Sequence, residues 1–185
     1  MSAPDEPGGI GVLAARYESK ILAELDAADA LSPGTGPGAR AGDPFATVML
    51  VKGLPGPAEI AGDPVLSGAD GDAARKALAA LGFDPESVFR TLSRPGGVAG
   101  TGAGARLRAQ IEAVDPYAVL ALDDAAGEDL AAACGAAALK TGVIDASGPR
   151  ILLAVAGLEA SLEDPVAKRR VWRQLQALKP RTPAW

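Results

Sequence analysis

Apolar residues open the chain at helical spacing. Ile10, Leu13, Tyr17, Ile21, Leu25 and Ala28 fall three or four apart and predict one amphipathic helix over residues 10–31. The run Ser32-Pro33-Gly34-Thr35-Gly36-Pro37-Gly38 ends it and reads as a surface loop. Four short apolar runs downstream read as strands: ATVMLV at 46–51, VFRTL at 88–92, AVLAL at 118–122 and RILLAVA at 150–156. The first, third and fourth are nearly continuous, as befits strands covered on both faces. Helical patterns fill the gaps at 72–81, at 105–114 through Leu107, Ile111 and Val114, and at 128–139. A closing helix over 164–178 has Asp164 as N-cap, Pro165 in its first turn, and an inward stripe of Leu162, Val166, Trp172, Leu175 and Leu178.

Strands alternating with helices imply right-handed crossovers. The expected fold is a single α/β domain, a three-layer α/β/α sandwich around a four-stranded, mainly parallel sheet. No internal repeat or second domain is visible. Ligands of such sheets sit outside the carboxyl ends of the strands, and the stretch after the first strand, MLVKGLPGPAEIAGDPVLSGADG at 49–71, occupies that place. Its Gly53-Leu54-Pro55-Gly56 core suggests a phosphate loop, yet GxxxxGK[ST] and GxGxxG are both missing, and Pro55 and Pro57 remove N–H donors. On residue chemistry alone the glycines serve the turn.

Composition narrows the chemistry. The 185 residues suffice to bury roughly 70% of the unfolded chain's surface. Apolar residues make up 48% and aromatics only 4%, so Ala, Leu and Val must fill the core. A net charge of −5 argues against a broadly basic nucleic-acid coat but leaves room for a local patch. The chain contains no histidine, which removes imidazole acid–base catalysis and the His-dependent nucleophile triads. One cysteine, Cys134, cannot make a disulfide framework, zinc site or iron–sulfur cluster, and its alanine-rich setting predicts a buried small hydrophobe. No metal or cofactor is expected. The acidic start MSAPDEPGG lacks the features of a signal peptide, and no apolar run reaches a membrane span, so a soluble cytoplasmic protein is expected.

Three segments together resemble the uracil-DNA glycosylase superfamily, closest to its bacterial branch that normally carries an iron–sulfur cluster. LVKGLPGPAEIAGDPVLSGADGDAARKALAALGF is similar to that family's first motif region, with Pro55-Gly56 and Gly62-Asp63-Pro64-Val65 at the matching places. IEAVDPYAVLALDDAAGEDL is similar to its third helix and strand, and ASLEDPVAKRRVWRQLQAL to its closing helix. The likeness spans about residues 46–178. It implies a base-excising scaffold whose chemical groups are gone. The family's water-positioning residue falls at Gly53, its base-stacking aromatic at Val65, its base-reading asparagine near Leu92 and its histidine at Gly157, and Cys134 matches none of the cluster cysteines. Excision requires a flipped base to be held, with charge stabilised as it leaves. Losing one preorganised donor alone costs about 3–4 kcal/mol of barrier.

Other polar residues remain. Glu59 and Asp63 share the loop with the missing acid and are candidate water-positioning carboxylates, though solvated loop charges are the favoured reading. Asp123-Asp124 follow the third strand and either bind a cation or, as preferred, cap the next helix. Lys168, Arg169, Arg170 and Arg173, extended by Lys179 and Arg181, form a basic helix face that either grips phosphates or is ordinary solvated surface. Arg90, Arg94, Arg106 and Arg108 are candidates for a second patch, and RPGGVAGTGAGAR at 94–106 for a lid or a linker. The expectation is a catalytically degenerate, uracil-DNA glycosylase-like binding or accessory module, with DNA or a repair protein as partner. A working glycosylase using Glu59 or Asp63 and a protein-interaction module that never touches DNA are the alternatives.

Overall fold

The structure is a computed structural model that describes residues 9–32, 35–36, 38–97 and 102–179. Its elements run α1 (Gly9–Asp29), β1 (Arg40–Gly42), β2 (Val48–Lys52), α2 (Pro57–Ile60), α3 (Ala69–Ala80), β3 (Val88–Leu92), α4 (Ala103–Val114), β4 (Ala118–Ala121), α5 (Asp124–Cys134), β5 (Ile151–Ala154) and α6 (Pro165–Leu175). Short 3₁₀ turns cover Glu159–Ser161 and Gln176–Leu178.

The sheet order is β1-β3-β2-β4-β5. β3, β2, β4 and β5 are parallel, in the register Phe89–Met49–Val119–Leu152, and β1 pairs antiparallel with β3. The sheet therefore has five strands, not four. The fifth, Arg-Ala-Gly at the edge, is three residues long and carries no apolar alternation from which a strand could be read.

Side-chain alternation splits the apolar strands between two cores. Val48, Leu50, Val88, Leu120 and Leu153 face α3 and α6, whereas Met49, Val51, Phe89, Val119 and Leu152 face α1, α4 and α5. This is the α/β/α sandwich expected. Beside the second core lies a polar plug. Asp29 at the end of α1 accepts Arg106 Nε at 2.9 Å, Gln110 Nε2 at 2.9 Å and Arg40 Nε at 2.6 Å. Arg106 is fully buried and also donates to the Leu92 carbonyl at 2.6 Å. The plug ties α1, β1, β3 and α4 together.

Several boundaries and faces differ from expectation. Helix α5 starts four residues early, because Asp123 caps it by accepting the Ala126 N–H, and it stops at left-handed Gly135. Cys134 is exposed at its end rather than buried. In α6 Val171, not Val166, faces inward, and Val166 is exposed. In α1 only Leu25 and Ala28 of the stripe are fully buried and Ile21 is partly so, while Leu13 and Tyr17 lie in solvent. The side chain of Ile10 and residues 33–34, 37 and 98–101 lie outside the described residues, so the reading of 94–106 as lid or linker is only partly covered. Among the described residues, no helix is long and apolar enough to cross a membrane.

Candidate functional site

From β2 the chain crosses to β3 on one side, and the next parallel strand, β4, lies on β2's other side. The carboxyl ends of β2 and β4 thus flank the topological switch point, where parallel sheets hold ligands. A cavity of about 370 Å³ opens there, lined by the β2 end (Lys52, Leu54, Pro55), the β4 end (Leu122–Ala125) and the turn after β5 (Gly157–Ala160).

Lys52 is the last residue of β2. Strand alternation points it toward the α3 layer, and its ammonium is buried. Its Nζ lies 2.6 Å from Asp70 Oδ2, 3.0 Å from Glu59 Oε2 and 3.0 Å from Glu159 Oε2. Burial works against the charged form, but the hydrogen bonds to Asp70, Glu59 and Glu159 outweigh it, and the pKa stands well above its ordinary value. With its pKa raised by three carboxylates, the ammonium keeps its proton at neutral pH and offers no lone pair to act as base or nucleophile.

Glu59 is equally committed. Its Oε1 accepts the Leu66 N–H at 2.8 Å, and its Oε2 accepts the Gly56 N–H at 2.9 Å besides the lysine. Burial alone would raise its pKa, but the Leu66 N–H and Lys52 hold it below the usual carboxylate value. The favoured reading of Glu59 as a solvated charge is therefore wrong: it is the staple of the 53–71 loop. It fixes Leu66, which sits at φ 54 in the left-handed region rarely used by leucine. Asp63 is exposed and does not line the cavity.

The glycines of this loop are explained by close approach. A Cβ on Gly53 would collide with Asp123 Oδ1 and stand 2.7 Å from Ala125 Cβ, while the Gly53 N–H donates to Asp123 Oδ2 at 2.8 Å. A Cβ on Gly56 would stand 2.6 Å from Glu159 Oε1 and 2.7 Å from Lys52 Nζ. Asp123 thus joins two loops and caps α5, which agrees with its preferred reading.

The structure brings Gly53, Pro55, Gly56 and Gly157 to one place, with Gly157 at φ 52 on the cavity wall. It does not bring Val65 and Leu92 there, since both are buried in the core under α3 and α6. Lys52, Asp70 and Glu159 went unrecognised as site residues in the sequence. The one available signal was a lysine closing an apolar strand, because Asp70 and Glu159 lie 18 and 107 positions away and only the fold unites them.

Lys168, Arg169, Arg170, Arg173 and Lys179 are all exposed, and none enters an ion pair among the described residues. Arg181 lies outside those residues. The second basic patch does not form. Arg106 is buried on Asp29, Arg94 is held by Asp129 at 2.8 Å and Glu128 at 2.9 Å, Arg90 reaches the Leu66 carbonyl, and Arg108 pairs with Glu112 on its own helix. Compared with known proteins, the chain matches no family model and no curated protein.

Proposed function

We propose that this chain is a uracil-DNA glycosylase-like scaffold without base-excising chemistry, serving as a DNA-binding accessory module. The observation that carries the loss of chemistry is the closed ion cluster at the switch point. The buried polar groups there, Lys52, Glu59 and Asp70, are already bonded to one another and to the loop backbone. Gly53 has no room for the side chain that the resemblance would place there. Three carboxylates around one ammonium, with Asp123 and Asp124 beside them, also give the cavity a negative potential that repels phosphate.

Binding is assigned instead to α6. Residues 165–179 carry Lys168, Arg169, Arg170, Arg173 and Lys179 and no carboxylate, within a chain of net charge −5. Such segregation holds phosphates by counterion release. Incubation with DNA containing uracil and a panel of damaged bases should release no base. DNA binding should weaken steeply between two salt concentrations and disappear when Lys168, Arg169, Arg170 and Arg173 are all changed to Ala. Base release would restore the enzyme reading, and DNA binding unmoved by those four changes would remove the helix from it.

A further inference from the structure

We propose that the groove between α3 and α6 is a stacking site for an unpaired base, so that the preferred ligand of this face is single-stranded DNA. The inference rests on the assignment of DNA binding to α6 and names the form of DNA bound. The groove has a volume of about 350 Å³ and an almost wholly carbon lining. Ala73 and Ala77 form its α3 wall, and their small side chains leave the space open. Leu162 and the half-buried indole of Trp172 form the wall opposite.

Two ammonium groups stand over this apolar slot, Lys76 from α3 and Lys168 from α6. Both are exposed, and neither has an ion-pair partner among the described residues. At about 100° per residue, Arg169 and Arg173 follow Trp172 around the helix on one side, Arg173 lying almost opposite the buried Val171 and Leu175 and Arg170 farther round. A partly exposed indole edged by cations suits a ligand that is flat and apolar at one end and anionic at the other. A nucleotide with a free base is such a ligand. In a duplex the bases are already stacked on one another, and only the phosphates would meet this face. Grooves that hold single strands combine the same two features, a cationic track and an aromatic platform on which bases stack.

The test compares fluorescein-labelled oligo-dT, the same backbone made abasic, and a duplex, by anisotropy with the full chain at two salt concentrations. Oligo-dT should bind roughly tenfold or more tighter than the abasic strand, the fold-change of one base stack. It should also quench tryptophan emission in a Trp185→Phe background, where Trp172 is the remaining indole. Trp172→Leu should erase the preference while leaving abasic binding in place. Ala77→Leu, which fills the slot from the α3 side and keeps the indole, should do the same if Trp172→Leu fails to fold. Equal affinity for oligo-dT and the abasic strand, or a preference that survives Ala77→Leu, would overturn the stacking site and leave salt-dependent DNA binding standing. No binding to any of the three probes at low salt would overturn both readings.

Discussion

A side chain at position 53 has nowhere to go, because its first carbon would already press on Asp123 and Ala125. Overpacking of this kind costs about 1–3 kcal/mol, and each kcal/mol lowers the Tm of a domain this size by about 2–4 °C. Gly53→Ala should therefore lower the Tm by several degrees in a thermal melt, whereas Gly104→Ala, whose Cβ meets only Ala132 at 3.9 Å, should not lower it. One residue earlier, the chemistry is charge rather than space. Lys52→Met leaves Glu59 and Asp70 buried without their cation, which typically costs about 3–5 kcal/mol. Linkage fixes the pH dependence. Because the folded Lys52 pKa is raised, its stabilisation is complete below the ordinary 10.5 and is lost only as pH climbs through the folded value. Because the folded Glu59 pKa is depressed, its stabilisation is complete above the ordinary 4.5 and is lost as pH falls through the folded value. In Lys52→Met the buried Glu59 loses the cation that helps hold its pKa down and takes up a proton more readily. The Tm gap to the parent should thus be widest near neutrality and narrow as the melts are moved to acid, and a gap independent of pH would show that the loss does not come from the charges of the cluster.

Among elements, α1 shows how a helical pattern overstates what is packed. Its stripe continues unbroken from Leu13 to Ala28, yet Leu25 is fully buried while Leu13 and Tyr17 are 53% and 55% exposed. Periodicity marks a face, not the length of the body beneath it. Leu25→Ala should cost about 2–5 kcal/mol in denaturant unfolding, against less than about 0.5 kcal/mol for Leu13→Ala. The same end of α1 carries Asp29, the acceptor for Arg106, Gln110 and Arg40. Asp29→Asn keeps the shape but leaves the guanidinium of Arg106, buried with no exposed surface, without its counter-charge, so a loss of several kcal/mol is expected, of the order seen when one partner of a buried pair is removed. Buried runs such as MLV and AVLA were legible as strands, because a strand covered on both faces has to be apolar throughout. Strand β1 was not, since three edge residues held by backbone pairing to β3 need no pattern of their own. The face of Arg106, a candidate for a second basic patch, was not legible for a related reason. A lone arginine carries no sign in the sequence that Asp29, 77 positions away, will neutralise it inside.

At the scale of the whole molecule, charge is sorted by place rather than balanced locally. The carboxyl edge of the sheet gathers Glu59, Asp70, Asp123, Asp124 and Glu159 around a single lysine, while α6 gathers cations alone. The second half of that pattern was readable, because a helix places neighbours in sequence next to one another in space. The first half was not, since its members come from β2, α2, α3, α5 and the turn after β5, and only crossover topology brings them together. The loop glycines were noticed, but their reason, contact with Asp123 and Glu159, lay in other elements. Sorted charge has a consequence that net charge hides. With a sequence pI near 4.8, an evenly mixed surface would be repelled by a polyanion at neutral pH. A face bearing Lys168, Arg169, Arg170, Arg173 and Lys179 without a carboxylate among them attracts one locally, because at moderate salt screening confines each exposed charge to a range of roughly 10 Å. The protein should be retained on immobilised heparin at low salt and elute as salt rises, despite its acidic pI. Changing Lys168, Arg169, Arg170 and Arg173 to Ala should send it through unretained with its Tm unaltered, since all four are exposed and none makes an ion pair within the described chain. Passage of the parent protein through the column at low salt would mean that the acidic edge dominates its field.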